Sequence, residues 1–442
     1  MKHWPVSILA VLAVATGAVT AKAADTTASS TENETNICET TGQLESIDAT
    51  YPDLLDGTLS GEGDMQSDNT PKRAFLRFPS TLDKWFAIKQ QIEQEYGFAF
   101  SGSYGVLWQN YSSSLVGENN AVGGKLTLNA GYELLNRNQP NALWVDMVVE
   151  DRRPLGTDRA PLQAGLVSGS ILPTAATWGD FGFGVTQFYI RQNLWQNRFQ
   201  YTIGKIFAPN YVNAYPFFDD NRQFLNQTFS ISPTIPSPLR GFGWVAAFYP
   251  IQDSGFYLQS GMYTVYSDDT GWTVGDFFTK NQYFYNWDIG WSHLSGAGVP
   301  LQARSAMDQD NVSVTGWYKD AAENGLPQAS GVAFNANHKF LENYMWFLRG
   351  GWSQGFFIDW NVSAGIGWRP PYAPSDLLGL GAGWAQPSND SLRDQWTEEL
   401  FYRFGVTRNF AITPDIQAVQ NPALNPTKNL LWVASIRARL TF

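Results

Sequence analysis

The chain has 442 residues and carries 29 Lys and Arg against 40 Asp and Glu, a formal net charge of −11 at pH 7. Because nucleic-acid binding needs a basic surface, this balance argues against nucleic acid as a partner. A single cysteine, Cys38, and three histidines leave no internal disulfide and no His/Cys metal site, so no metal and no other cofactor is expected.

The N-terminus has the features of an export signal. Lys2 and His3 precede a mostly apolar run at residues 8–19, and Ala21-Lys22-Ala23 fits a signal-peptidase site. The run is shorter than the roughly 20 residues that a membrane-spanning helix needs. We therefore predict a signal peptide over residues 1–23.

Residues 24–80 are acidic and rich in Thr, Ser and Asn. Such a composition buries too little apolar surface to fold, so we predict a disordered periplasmic segment. The segment also looks too polar to form a plug, which argues against a gated active transporter. Its residue Cys38 lies in a polar context and is interpreted as a free thiol.

A short helix is predicted next, over residues 81–97. Ser80 can cap its start and Gly97 can end it. Apolar residues recur at helical spacing between these two, at Trp85, Phe86, Ile88, Ile92 and Tyr96. This pattern is typical of an amphipathic helix, which we place at the mouth of the fold that follows.

From Phe98 onward, apolar and polar residues alternate with period two, as in strands that have one apolar face. In the last strand, one face is entirely apolar: Leu430, Trp432, Ala434, Ile436, Ala438, Leu440 and Phe442. Aromatic residues such as Trp360 and Trp368 lie at the ends of an apolar face. This placement fits girdles at two membrane interfaces better than the core of a soluble sandwich.

The connections between these strands alternate in length. Short ones at 136–141 and 407–409 contrast with long polar ones at 151–180, 206–240, 267–281 and 385–397. For residues 98–442 we therefore predict an all-β fold, a transmembrane antiparallel up-and-down β-barrel of about 16 strands. Such a barrel belongs in the bacterial outer membrane, in contact with its lipid.

Five stretches resemble the carbohydrate-selective porin family known as OprB. They are IEQEYGFAFSGSYG at 92–105, IGKIFAPNYVNAYPFFDDNRQFLN at 203–226, DLLGLGAGWAQPS at 376–388, EELFYRFGVTRNFAITPDIQAVQNPALNP at 398–426 and WVASIRARLTF at 432–442. Together they span the predicted barrel from end to end. The resemblance implies a passive, sugar-preferring outer-membrane pore, without specifying the sugar; monomer and trimer both stay open.

Charges that face the lumen are the candidates for solute binding. Strand parity and height place Arg403, Asp415 and Arg437 near mid-height on three neighbouring strands, with Arg439 just below. Guanidinium groups donate paired hydrogen bonds to vicinal hydroxyls, so we predict a sugar constriction here; alternatively, these charges only solvate the wall. The same parity adds three lumen-facing candidates, Lys125, Glu133 and Glu399.

No catalytic motif accompanies these residues, so we predict no catalytic residues and no enzymatic activity. The expected function is passive, carbohydrate-selective diffusion of small sugars, with ions passing the same pore. Two alternatives stay open, a general non-selective porin and a secreted β-rich sugar-binding protein. Asp219, Asp220 and Arg222 are interpreted as anchors of a long loop that folds inward.

Overall fold

The structure is a computed structural model that describes residues 61–69, 82–139, 141–196, 198–251, 254–294, 306–323, 325–373 and 375–442. The predicted signal peptide, Cys38 and most of the acidic segment therefore lie outside the described residues. All the elements that follow belong to one compact unit, Ile47–Phe442.

Two helices precede the strands, α1 (Gly61–Asn69) and α2 (Asp83–Tyr96). Helix α2 confirms the helix predicted near the N-terminus. It ends at Gly97, whose φ of 68° is left-handed and whose N–H donates to the carbonyl oxygen of Glu93. The proposed Ser80 cap lies outside the described residues. None of the described helices is long and apolar enough to cross a membrane.

Helix α1 lies within the segment that the sequence predicted to be disordered. Asp64, Met65 and Asp68 are buried, and the helix packs against the first three strands of the barrel. The expectation of disorder therefore does not describe residues 61–69. Composition misses this helix because ion pairs to distant residues hold it, as set out below.

Sixteen strands form one closed sheet. Each pairs antiparallel with its neighbours in the chain, and the first also pairs with the last. This confirms the predicted antiparallel barrel and its strand number. The strands are β1 (Phe98–Tyr111), β2 (Asn120–Leu135), β3 (Leu143–Pro154), β4 (Phe181–Leu194), β5 (Phe199–Ile206), β6 (Gly241–Phe248), β7 (Phe256–Thr264), β8 (Tyr283–Leu294), β9 (Gln309–Lys319), β10 (Ala329–Phe340), β11 (Tyr344–Gln354), β12 (Ile358–Trp368), β13 (Leu377–Pro387), β14 (Gln395–Thr407), β15 (Phe410–Gln420) and β16 (Leu430–Thr441).

The two faces of the sheet differ in polarity and in burial. On β16, Trp432 and Ile436 point outward and are 48% and 49% exposed, whereas Ser435 and Arg437 point inward and are buried. Successive side chains of a strand point to opposite faces, so a wall between lipid and a wet lumen requires this alternation. The inward charges are buried because other parts of the chain fill the lumen.

Outward aromatic side chains form two rows. Near one rim, Trp352 contacts Trp360, and Trp384 contacts Trp396. Near the other rim, Tyr344 stacks on Trp368 with 6.1 Å between ring centroids. These rows match the predicted girdles, because amphipathic rings favour the two membrane interfaces.

The connections differ between the two rims. At the rim where β1 begins and β16 ends, called the terminal rim below, turns are short, such as 408–409 and 341–343. The opposite rim carries the long connections 155–180 and 207–240, which contain helix α3 (Pro161–Val167) and a short 3₁₀ turn, and 265–282 with helix α4 (Val274–Thr279). Three connections depart from this pattern. On the opposite rim, 355–357 is short, and 388–394 is shorter than predicted because β13 and β14 extend further than expected. On the rim with the short turns, connection 295–308 between β8 and β9 is long.

Candidate functional site

Two connections fold into the barrel and fill much of its lumen. Nearly all of residues 206–235 are buried, and so are most of residues 160–178. Phe224 packs against Phe229, Phe347 and Phe401, with its ring centroid 4.9 Å from that of Phe401 on β14. This aromatic cluster fixes connection 207–240 to the inner wall of the barrel.

Glu399 and Arg437, both predicted as solute ligands, bind the backbone of that connection. Glu399 accepts hydrogen bonds from the N–H groups of Leu225 and Asn226, at 2.5 and 3.0 Å. Arg437 donates to the carbonyl oxygens of Asp220 and Gln223, at 2.6 and 2.9 Å. Both side chains therefore position the inward-folded chain from opposite ends of residues 220–226.

Lys125 joins the two inward connections. Its ammonium donates to the Thr177 hydroxyl at 2.8 Å and lies 4.0 Å from a carboxylate oxygen of Asp220. Asp220 also accepts the N–H of Thr177 at 2.6 Å. The interpretation of Asp220 as a loop anchor agrees with these contacts.

A row of charges continues from Lys125 and was missed by the sequence reasoning. Arg152 pairs with Glu150 at 2.5 Å, Glu150 pairs with Arg240 at 3.1 Å, and Arg240 reaches Asp269 at 2.7 Å. Strand parity could have found Glu150 and Arg152, because Arg152 is directly opposite Lys125 in the register. Arg240 lies at the end of a long connection, before β6, so strand parity does not predict where its side chain points. Lys125, Glu150, Arg152, Arg240 and Asp64 line a narrow space in the lumen.

A second cluster of charges lies toward the terminal rim, where β16 ends. Arg439 makes two 2.7 Å hydrogen bonds to the Asp68 carboxylate. Arg222 bonds Asp64 and Asp68, each at 2.7 Å, and also pairs with Asp219. Asp68, Arg222 and Arg439 line a second, larger open space together with Arg403 and neighbouring wall residues. We call Asp64, Asp68, Asp219, Arg222 and Arg439 the lumen charge cluster.

Arg403 and Asp415 complete the predicted group. Asp415 is level with Phe401 on one side and Ser435 on the other, so Arg403 and Arg437 each lie two residues nearer the terminal rim. Arg403 donates to the carbonyl oxygen of Ser375 at 3.2 Å, and Asp415 accepts from Gln417 at 3.2 Å. The structure thus brings Arg403, Asp415, Arg437 and Arg439 to one region of the wall.

Glu133 lies apart from this group. It is near the end of β2, and a carboxylate oxygen accepts the N–H of Asn138 at 3.4 Å in the turn that follows. Its side chain also stands next to Gly97, where helix α2 passes into β1. The position is at the terminal rim and not in the constricted part of the lumen.

The closed sheet, its outward aromatic rows and its charged lumen define a porin-type transmembrane β-barrel. No family model matches the chain, and no curated protein matches it by sequence. Among solved structures, the chain is similar to OprB of Pseudomonas putida at high pH, with a TM-score of 0.65 and 14% identity over 81% of this chain and 97% of that one. The low-pH structure of OprB gives a TM-score of 0.50 and 13% identity over 84% and 100%. At the level of the fold, this confirms the resemblance to OprB stated from the sequence.

Proposed function

We propose that the protein is a bacterial outer-membrane porin that admits small sugars by passive diffusion, as a channel and not as an enzyme. The observation that carries this proposal is the convergence of Arg403, Arg437, Arg439 and Arg222 beside carboxylates in the lumen of a closed barrel. The fold likeness to OprB supports a pore of this class.

The chemistry of these side chains suits hydroxylated solutes. A guanidinium group donates hydrogen bonds in a fixed planar fork, which matches neighbouring hydroxyls of a sugar, and its plane can stack on an apolar sugar face. Carboxylates such as Asp415 accept hydrogen bonds from the same hydroxyls. Exchange of water for several such weak contacts favours entry of a sugar without preventing its release.

Arg403 offers the sharpest test because its hydrogen bond goes to Ser375, whereas Arg437 binds connection 207–240 and Arg439 binds helix α1. In Arg403→Ala, we expect the affinity of the pore for a blocking sugar to fall roughly tenfold, the loss of one charge-assisted hydrogen bond. Planar-bilayer conductance of the purified barrel with a panel of sugars as blockers measures this affinity. The matched control is Arg408→Ala, since Arg408 is 53% exposed at a turn of the same rim.

The outcomes separate the alternatives. Equal block of Arg403→Ala and of the parent protein by every sugar would contradict a carbohydrate site and favour a general porin. Protein that dissolves freely without detergent and carries no current would overturn the channel itself and favour a secreted sugar-binding protein.

A further inference from the structure

Helix α1 reaches into the lumen instead of lying outside the barrel. It packs against β1, β2 and β3, and its residues Asp64, Met65 and Asp68 are buried there. A helix this short is marginal in water, and its sequence GEGDMQSDN contains two glycines. Contacts with the barrel must therefore hold it in its helical form.

Those contacts are mostly polar. Asp64 and Asp68 are four residues apart, so they share one face of the helix. That face meets Arg222 and Arg439 through the 2.7 Å hydrogen bonds of the lumen charge cluster. At the C-terminal end, Asn69 donates to the carbonyl oxygen of Phe100 at 3.1 Å and accepts from Lys89 of α2 at 2.6 Å.

Little apolar area holds α1 in place. Among its described side chains, Met65 is the one large apolar group that is buried, beside Gly131 of β2. Since hydrophobic stabilisation scales with buried apolar area, the attachment depends mainly on charge. Such an attachment weakens when the carboxylate that pairs with both arginines, that of Asp68, is removed.

Helix α1 also lies between the two open spaces of the lumen. Asp64 lines the space next to Lys125 and Arg240, whereas Ser67 and Asp68 line the space next to Arg403 and Arg439. The first space is so narrow that it holds about two water molecules. With α1 in place, this first space is therefore too small to hold a sugar ring.

We propose that helix α1 is an autoinhibitory plug, seated in the lumen by Asp68 between Arg222 and Arg439, and that solute passes when the helix leaves this seat. This inference rests on the proposed function as a pore. In the seated state Arg439, which was predicted to bind solute, is paired with the Asp68 carboxylate of the same chain. Solute and plug then compete for the same guanidinium group.

The test removes the Asp68 carboxylate, which holds helix α1, and changes no residue of the barrel strands. In Asp68→Ala, Arg222 and Arg439 lose a buried partner, and the seating equilibrium should shift toward release by on the order of 100-fold. We expect a larger single-channel conductance in salt without any sugar, and entry of larger neutral poly(ethylene glycol) molecules. Deletion of residues 61–69 removes helix α1 and gives the conductance and size limit expected for complete release. The control is Asp83→Asn, because Asp83 is an exposed residue of α2. Retention of the folded barrel is checked by its heat-modifiable mobility in SDS gels.

Two results would overturn the plug. One is an unchanged polymer size limit in both Asp68→Ala and the deletion. The other is a changed conductance with an unchanged size limit, because Asp68 would then act only as a charge in the pore. Both measurements omit sugar, so the plug can fail while the sugar block that tests the proposed function persists, or the reverse.

Discussion

The lumen charge cluster contains three carboxylates and two guanidinium groups, and the three carboxylates differ in pKa. Burial raises the pKa of Asp64 to about 6. Arg222 lowers this pKa, whereas the negative charges of Asp68 and Asp219 raise it. Burial would also raise the pKa of Asp68, but Arg439 and Arg222 outweigh it and hold that pKa well below its usual range. Asp68 is therefore the carboxylate that secures α1, and Asp64 is the one that takes up a proton.

This difference predicts a pH-dependent pore. The pKa of Asp64 is about 6 when α1 is seated and 3.8 in water, so the seated state binds more protons between these values. The contribution of Asp64 to seating is complete below pH 3.8 and is lost as the pH rises through 6. At pH 5, the seating equilibrium should favour the plug roughly tenfold more than at pH 7.5. Single-channel conductance in salt should fall accordingly on acidification.

Asp64→Asn is the matched variant for this prediction. The amide imitates the protonated carboxyl, so the variant should keep the low conductance at pH 7.5 and lose the response to pH. Asp68, Asp219, Arg222 and Arg439 face Asp64. The pKa values of Asp68 and Asp219 are lowered and lie below this window, and the neighbouring carboxylates hold the pKa of Arg222 well above its usual value. A conductance that follows pH equally in the parent protein and in Asp64→Asn would contradict the assignment to Asp64.

At the scale of elements, connection 207–240 depends on its aromatic cluster. Phe224 is fully buried among Phe217, Phe229, Phe347 and Phe401. Phe224→Ala should lower the stability of the inward-folded connection by about 3–5 kcal/mol, because the cavity cannot close fully. The connection should then open outward and expose Arg222 to trypsin.

Mass spectrometry of the tryptic fragments measures this opening. The control is Phe183→Ala, which removes an aromatic ring that is 60% exposed on β4. Cleavage after Arg222 should appear in Phe224→Ala alone. If Arg222 stays protected there, the polar anchors Glu399 and Arg437 hold the connection without the aromatic cluster.

The elements also show what the sequence can predict. Strand β16 was predicted at 430–442 and is Leu430–Thr441, because lipid and lumen impose opposite polarity on successive residues. The inward connection has no such local signal. The hydrogen bond between Glu399 and Leu225 joins residues 174 apart in the chain, and nothing in either local pattern indicates that partner. Parity placed the charged residues on the correct face but could not show which ones hold the inward connections.

The same reasoning explains why α1 was missed. Its composition, taken alone, predicts disorder, since Met65 is almost its only apolar residue. Its stability comes from Arg222 and Arg439, which follow it by 154 and 371 positions in the chain. A polar segment can thus fold where a barrel supplies charged partners, and this information exists only in the assembled molecule.

At the scale of the whole molecule, the barrel closes where its last residue meets its first strand. The N–H of Phe442 donates to the carbonyl oxygen of Gly102 at 2.8 Å, and the N–H of Gly102 donates to that of Phe442 at 3.0 Å. The Phe442 ring covers Gly102 so closely that a Cβ atom there would overlap it. While the Phe442 ring occupies this place, position 102 of β1 therefore requires a glycine.

Gly102→Val should strain this closure and destabilise the folded barrel by about 1–3 kcal/mol, the usual cost of overpacking. The temperature at which the barrel loses its folded mobility in SDS gels measures the effect. Gly316→Val is the matched control, since a Cβ atom at Gly316 of β9 meets open space. In the Phe442→Ala background the ring is gone, so the same Gly102→Val substitution should cost much less. If its cost is the same with and without the ring, closure does not depend on this contact.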